Sequence, residues 1–132
     1  MTDVFALLAA YQLKHFLADY PLQTPYMLGK FKSGWDFLGP LAAHAWVHAL
    51  FTLVIAGCYG LAVGHPNPHW LALPLAAFDF AAHFAMDRIK AGPRYLGRFK
   101  DMKAPAFWWC LGLDQMVHHF THYAIIYALV TR

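Results

Sequence analysis

His15-Phe16-Leu17-Ala18-Asp19 and His83-Phe84-Ala85-Met86-Asp87 are two copies of one pattern, separated by 83 − 15 = 68 positions. Leu28-Gly29-Lys30-Phe31-Lys32 returns as Leu96-Gly97-Arg98-Phe99-Lys100 at the same offset, 96 − 28 = 68. Two separate matches in one register point to a tandem duplication, with repeat 1 at about 1–64 and repeat 2 at about 68–132. The duplicated element is a His-x-x-x-Asp pair set in apolar sequence, where ionisable groups are costly and tend to serve a function.

Composition indicates the environment. Of 132 residues, 60% are hydrophobic, 17% aromatic and 13% charged, against about 25% charged in soluble domains. A membrane protein of one compact domain, 1–132, is expected. All seven acidic residues are Asp, and nine His is a large number for this length. A net charge of +3 is too small and scattered to suggest a nucleic-acid partner. It suits positively charged loops at a bilayer surface.

Four apolar segments lie at roughly 3–20, 41–63, 70–90 and 106–130, each near the ~20 residues that span a bilayer. The first and third are interrupted by polar residues and rate poorly on hydropathy alone. The duplication argues that both copies hold two spans. Pro21 and Pro25, Gly39-Pro40, Gly64 to Pro68, Gly92-Pro93 and Pro105 punctuate the segments. The expected fold is therefore all-α, a four-transmembrane-helix bundle made from a duplicated two-helix unit. No signal peptide is expected, because the N-terminus lacks a charged leading region and a small-residue cleavage site.

Orientation follows from the basic residues. Lys30 and Lys32 follow the first segment, and Arg88, Lys90, Arg94, Arg98, Lys100 and Lys103 follow the third. Both loops fall on one side of a four-span chain, while the C-terminus carries only Arg132. The positive-inside rule makes these loops cytoplasmic and both termini external, in a cytoplasmic membrane. Cys58 and Cys110 then fall toward opposite ends of their segments and are not expected to bridge. Trp70 and Trp108-Trp109 fit interfacial belts.

On this map the ionisable residues form four pairs: His15/Asp19, His44/His48, His83/Asp87 and Asp114/His118. Each is spaced i, i+4, which brings the side chains together on one helix face, about 5–6 Å apart at Cβ. All four fall in the cytoplasmic halves of the segments, which nothing in the topology assignment required. One such pair is most often a local hydrogen bond, and several can glue helices together. Four at one depth, with five imidazoles and three carboxylates, suggest a metal centre. These donors suit a divalent ion, zinc foremost with iron or manganese as other candidates. Eight donors exceed the four of one tetrahedral zinc and leave room for two ions. His122 lies one turn beyond, and His119 sits beside the face. Lys14 is expected to snorkel or to pair with an Asp. His65 and His69 are expected to be solvated.

The ordered set His15-x-x-x-Asp19, Gln23-Thr24, Lys30, His44-x-x-x-His48, His83-x-x-x-Asp87-x-x-Lys90 and Asp114-Gln115-x-x-His118 resembles a family of small bacterial and phage membrane proteins called domain of unknown function 3307. The resemblance covers most of the chain. It implies an integral membrane protein with these polar positions as its signature, and it implies no activity. A looser likeness is to membrane-bound metal-dependent hydrolases with His-rich spans.

Three classes of function remain. The first is a metal-dependent hydrolase acting on a membrane-associated phosphoester or lipid. Asp19, Asp87 and Asp114 would be its catalytic candidates, and Lys30, Arg88 and Lys90 would hold an anionic lipid or phosphate-containing substrate. The second is metal-ion binding, transport or a proton relay, for which the outer halves of the segments hold few polar residues beyond Gln12 and Asp79. The third is an accessory subunit of a membrane complex. A homo-oligomer is compatible with each.

Overall fold

The computed structural model describes residues 2–131, so Met1 and the terminal Arg132 of the charge count lie outside it. Those residues form four α-helices and no strand: α1 (Thr2–Asp19), α2 (Leu38–Ala62), α3 (Pro68–Ala91) and α4 (Pro105–Val130). Short 3₁₀ turns, Met27–Phe31 and Leu96–Arg98, link α1 to α2 and α3 to α4. The order helix, 3₁₀ turn, helix thus occurs twice. Both turns fall on the repeated Leu-Gly-(Lys/Arg)-Phe-Lys motif.

The helix ends follow from local chemistry. Pro68 and Pro105 open α3 and α4, where a missing N–H costs no helical hydrogen bond. Gly39-Pro40 opens α2: the helix begins at Leu38 and holds Pro40 in its first turn, where proline is tolerated. Gly64 ends α2 at φ +70°, and the His65 N–H donates to the Gly60 carbonyl at 2.8 Å. This is the left-handed glycine stop that satisfies the last carbonyls of a helix.

Consecutive helices are neighbours and α4 returns to α1, with α2 and α3 making the most extensive pair. Buried alanines (Ala45, Ala49, Ala56, Ala72 and Ala76) line the interior faces of those two helices, as small residues do where helices approach closely. Leu7, Tyr11, Ala56, Ala72, Ile125, Ile126 and Leu129 form an apolar core in the half of the bundle away from the basic loops. The other half is filled with His and Asp.

One helix, α2, is long and apolar enough to cross a membrane by length and composition. The other three carry their ionisable residues within the helix, which lowers their hydropathy. Cys58 and Cys110 are free thiols.

The repeated glycines have a packing reason. A Cβ on Gly29 would fall 2.7 Å from Pro40 Cγ, and one on Gly97 would lie 2.5–2.8 Å from the backbone of Ala91 and Gly92. Backbone cannot yield as a side chain can. Gly97→Ala is therefore expected to cost about 1–3 kcal/mol, as overpacking does, and to lower the melting temperature in detergent more than Gly112→Ala. Gly112 has open space around its Cβ position.

Candidate metal centre

The polar half of the bundle is built by helical spacing. His15 and Asp19 on α1, His44 and His48 on α2, and Asp114 and His118 on α4 each share one inward face. Asp19 is half-buried, and the other five are buried. Within helices, His15 Nε2 lies 3.1 Å from Asp19 Oδ2, and His118 Nε2 lies 3.2 Å from Asp114 Oδ1.

Contacts across the bundle bind the pairs into one cluster. Asp19 Oδ1 meets Nε2 of His48 at 3.2 Å and of His44 at 3.3 Å. Asp87 Oδ2 meets His44 Nε2 at 3.1 Å, and Asp87 Oδ1 meets His118 Nε2 at 3.5 Å. His44 therefore presents a single ring nitrogen to two carboxylates, although a neutral imidazole has one N–H to donate.

His83 departs from the expected pairing. It reaches back one turn, with Nδ1 at 3.0 Å from Asp79 Oδ1 and 3.1 Å from the Asp79 carbonyl, and makes no ion pair with Asp87. Its ring stacks between those of His48 and His118, with centroids 3.8 and 4.2 Å away. Asp87 instead faces His44, His118 and Lys30.

Two groups fit a metal ion by geometry: Asp19, His44 and His48, and Asp87, Asp114 and His118. Two ligands bound about 2.0–2.1 Å from a tetrahedral zinc lie roughly 3.3 Å apart. The His–Asp separations within these groups, 3.2–3.5 Å, are near that value and are also hydrogen-bonding distances. All the candidate ligand atoms of each group lie within 4.8 Å of one another. Several buried ring nitrogens are also left without partners: Nδ1 of His15, His44, His48 and His118, and Nε2 of His83. Such orphans are unusual in a finished core.

A cavity of about 280 Å³ opens onto this cluster, lined among others by Asp19, Asp87, Asp114, His118, Lys30 and Lys90. Lys30 Nζ lies 3.5 Å from Asp87, and Lys90 donates to Asp114 Oδ2. Both predicted lysines reach the cavity. Arg88 does not: its guanidinium covers the Phe37 ring at 3.5 Å and donates to the Lys32 carbonyl, because its helix position faces the first loop.

A second layer was not anticipated as part of the site. Lys14 Nζ, fully buried, lies 2.6 Å from Asp79 Oδ2 and 3.1 Å from His122 Nε2. Thr52 donates to the same Asp79 oxygen at 2.7 Å. Lys14 thus pairs with an Asp and does not snorkel. The spacing Asp79-x-x-x-His83-x-x-x-Asp87 is a continuous ladder on one face and was the available signal for Asp79; His118-x-x-x-His122 was that for His122. His15, His83 and His122 form a third group whose nitrogens lie within 4.8 Å of one another. His119 contacts Gln12 at the exposed edge, His65 accepts from the Asn67 N–H, and His69 is exposed.

The fold and site together define an all-helical protein with four helices and a buried His/Asp cluster able to hold a metal ion. A family model described as Protein of unknown function (DUF3307) matches residues 7–132, and the chain belongs to that family. No curated protein and no solved structure matches it.

Proposed function

We propose that this protein is a membrane-embedded metalloenzyme that hydrolyses a phosphoester at the inner leaflet, with two divalent ions, zinc foremost, held by the duplicated His/Asp pairs. The observation that carries the reading is the cavity where carboxylates and imidazoles converge at ligand spacing beside two lysines. His44, His48 and Asp19 would hold one ion, and His118, Asp87 and Asp114 the other. When bound, such ions supply Lewis-acid polarisation of a phosphoryl oxygen and of water.

The chain's own residues supply the remainder. Lys30 and Lys90 now lie against Asp87 and Asp114. Once those carboxylates carry a metal, both ammonium groups are free to grip a phosphate at the mouth. An oxygen of Asp19, Asp87 or Asp114 left free of the metal would accept the proton of the attacking water.

The membrane part of the proposal, four spans in one duplicated unit, rests on an inverted distribution of polarity. Lys14, His48, Asp79, His83 and Asp114 are buried, while Phe5, Leu13, Trp46, Val54, Leu73, Phe120 and Tyr127 face outward on all four helices. A water-soluble bundle would place these classes the other way round. The basic turns at Lys30 and at Arg94 to Lys103 lie at the cavity end, which this reading places at the cytoplasmic face. The closed Lys14–Asp79 layer argues against a through-path for an ion.

Metal analysis by plasma mass spectrometry on detergent-purified protein tests the proposal. About two equivalents of zinc, iron or manganese are expected in the wild type, and a large loss in His48→Ala/His118→Ala, which removes one imidazole from each ligand set. Metal-free protein, purified without chelator and unable to take up zinc, would remove the hydrolase reading. Phosphomonoester and phospholipid substrates are then screened on the loaded protein.

A further inference from the structure

Beside the polar cavity lies a second one, also of about 280 Å³, between the Leu96–Arg98 turn and the start of α4. Its walls are mainly apolar: Phe31, Leu96, Phe99, Met102, Phe107 and Leu111. The two cavities share Phe31, Lys90 and Leu111. Helical spacing makes them neighbours, since Phe107 and Leu111 precede Asp114 and His118 on one face of α4, and Lys90 follows Asp87 by one turn on α3.

This apolar chamber arises where the two repeats differ. The first Leu-Gly-(Lys/Arg)-Phe-Lys turn packs against α2, with Gly29 so close to Pro40 that a Cβ would fall 2.7 Å from its Cγ. The second packs chiefly against α3, with Gly97 set on the backbone of Ala91 and Gly92, and the chamber lies between it and α4. The chain from the motif to the next inward pair is also two residues longer in repeat 2. Asp114 follows His44 by 114 − 44 = 70 positions, against 68 for the motif.

We propose that the substrate is a lipid phosphoester: its phosphate enters the polar cavity between Lys30 and Lys90, and the start of its hydrocarbon chain occupies the apolar chamber. The inference rests on the metalloenzyme reading above and names its substrate class. Lys90 lines both cavities, and its ammonium is held by Asp114 in the polar one. Lys100 adds a cation at the chamber itself. Cations beside apolar walls match an anionic head joined to an apolar chain, whereas a free phosphate would leave those walls against water. Phe31 and Met102 are 53% and 62% exposed within basic turns, a mixture suited to the headgroup level of a membrane. Each cavity alone is small beside the ~300–1,000 Å³ of ordinary ligand sites. Two that share a wall suit one ligand with unlike ends.

The test measures binding of two unreactive phosphonates, methylphosphonate and hexylphosphonate, to the zinc-loaded protein by calorimetry. Each methylene taken out of water is worth about fourfold in affinity, so hexylphosphonate should bind about 10- to 100-fold more tightly than methylphosphonate. In Leu96→Gln/Phe107→Gln, which makes the chamber polar, that advantage should shrink to about twofold. A second readout uses Cys110, which lines the chamber, in a background where the exposed Cys58 is replaced by Cys58→Ser. Hexylphosphonate should slow alkylation of Cys110 and methylphosphonate should not, and this readout decides if the double variant fails to fold. Equal affinities for the two phosphonates would overturn the lipid assignment while leaving the metal centre standing. So would an advantage that survives in the double variant, because the chain would then lie outside the chamber. Protein that takes up no zinc would overturn the metalloenzyme reading itself, and this assignment with it.

Discussion

Lys14→Met is expected to destabilise the fold by about 3–5 kcal/mol, the cost of stranding one partner of a buried ion pair. The pair is fully enclosed, with both side chains at 0% exposure and 2.6 Å between Lys14 Nζ and Asp79 Oδ2. Asp79 would keep only Thr52 and His83 as partners, with no ammonium to balance its charge. Lys14 cannot be replaced by water from outside, because the apolar cluster of Leu7, Tyr11, Ile125 and Ile126 lies in that half of the bundle. Removing both partners has a different cost, since a buried pair exchanged for apolar groups of similar volume is often close to neutral. Lys14→Met/Asp79→Leu should therefore recover most of the stability lost in Lys14→Met. Thermal unfolding of both variants in one detergent, followed by circular dichroism, reads the difference. A single variant as stable as wild type would mean that the pair contributes nothing to folding.

Much of the architecture was legible because it rests on short-range periodicity. The segments at 3–20, 41–63, 70–90 and 106–130 foreshadow the four helices to within a few residues, since prolines and glycines mark their ends locally. The inward pairs on α1, α2 and α4 follow from i, i+4 spacing alone. The choice of partner across the bundle does not. Whether His83 turns toward Asp79 or Asp87 depends on a rotation about its side chain that packing against His48 and His118 decides. Arg88 and Lys90 are two residues apart near the end of one helix, yet only Lys90 reaches the cavity. A difference of two positions turns a side chain by more than half of a helical turn. Asp79 was visible as the first rung of a ladder with His83 and Asp87. Its role was hidden because its cation, Lys14, comes from the other repeat, 65 residues away.

Asp87→Asn is expected to have the opposite profile to Lys14→Met: a folded protein that has lost its metal and its activity. Asp87 touches more of the cluster than its own helix neighbours suggest, meeting His44 at 3.1 Å, His118 at 3.5 Å and Lys30 at 3.5 Å. Asparagine preserves the volume but removes the negative charge and one acceptor oxygen, so a divalent ion shared with Asp114 and His118 loses an anionic ligand. The metal content should fall from about two ions per chain to one or fewer, and hydrolysis by at least about 100-fold, the lower end for removing a group that handles protons in the reaction. Stability should change little, because Lys30 is not trapped as Lys14 is. Lys30 lines the cavity, and its ammonium can swing to the mouth when its partner is neutralised. The two buried Lys–Asp pairs thus separate by consequence, the enclosed one supporting the fold and the one at the cavity belonging to the chemistry. Measuring metal content and unfolding on one preparation of Asp87→Asn checks this directly. A variant that keeps two ions would remove Asp87 from the ligand set. A variant that unfolds as Lys14→Met does would make the cluster the glue of the bundle, as the accessory-subunit reading requires.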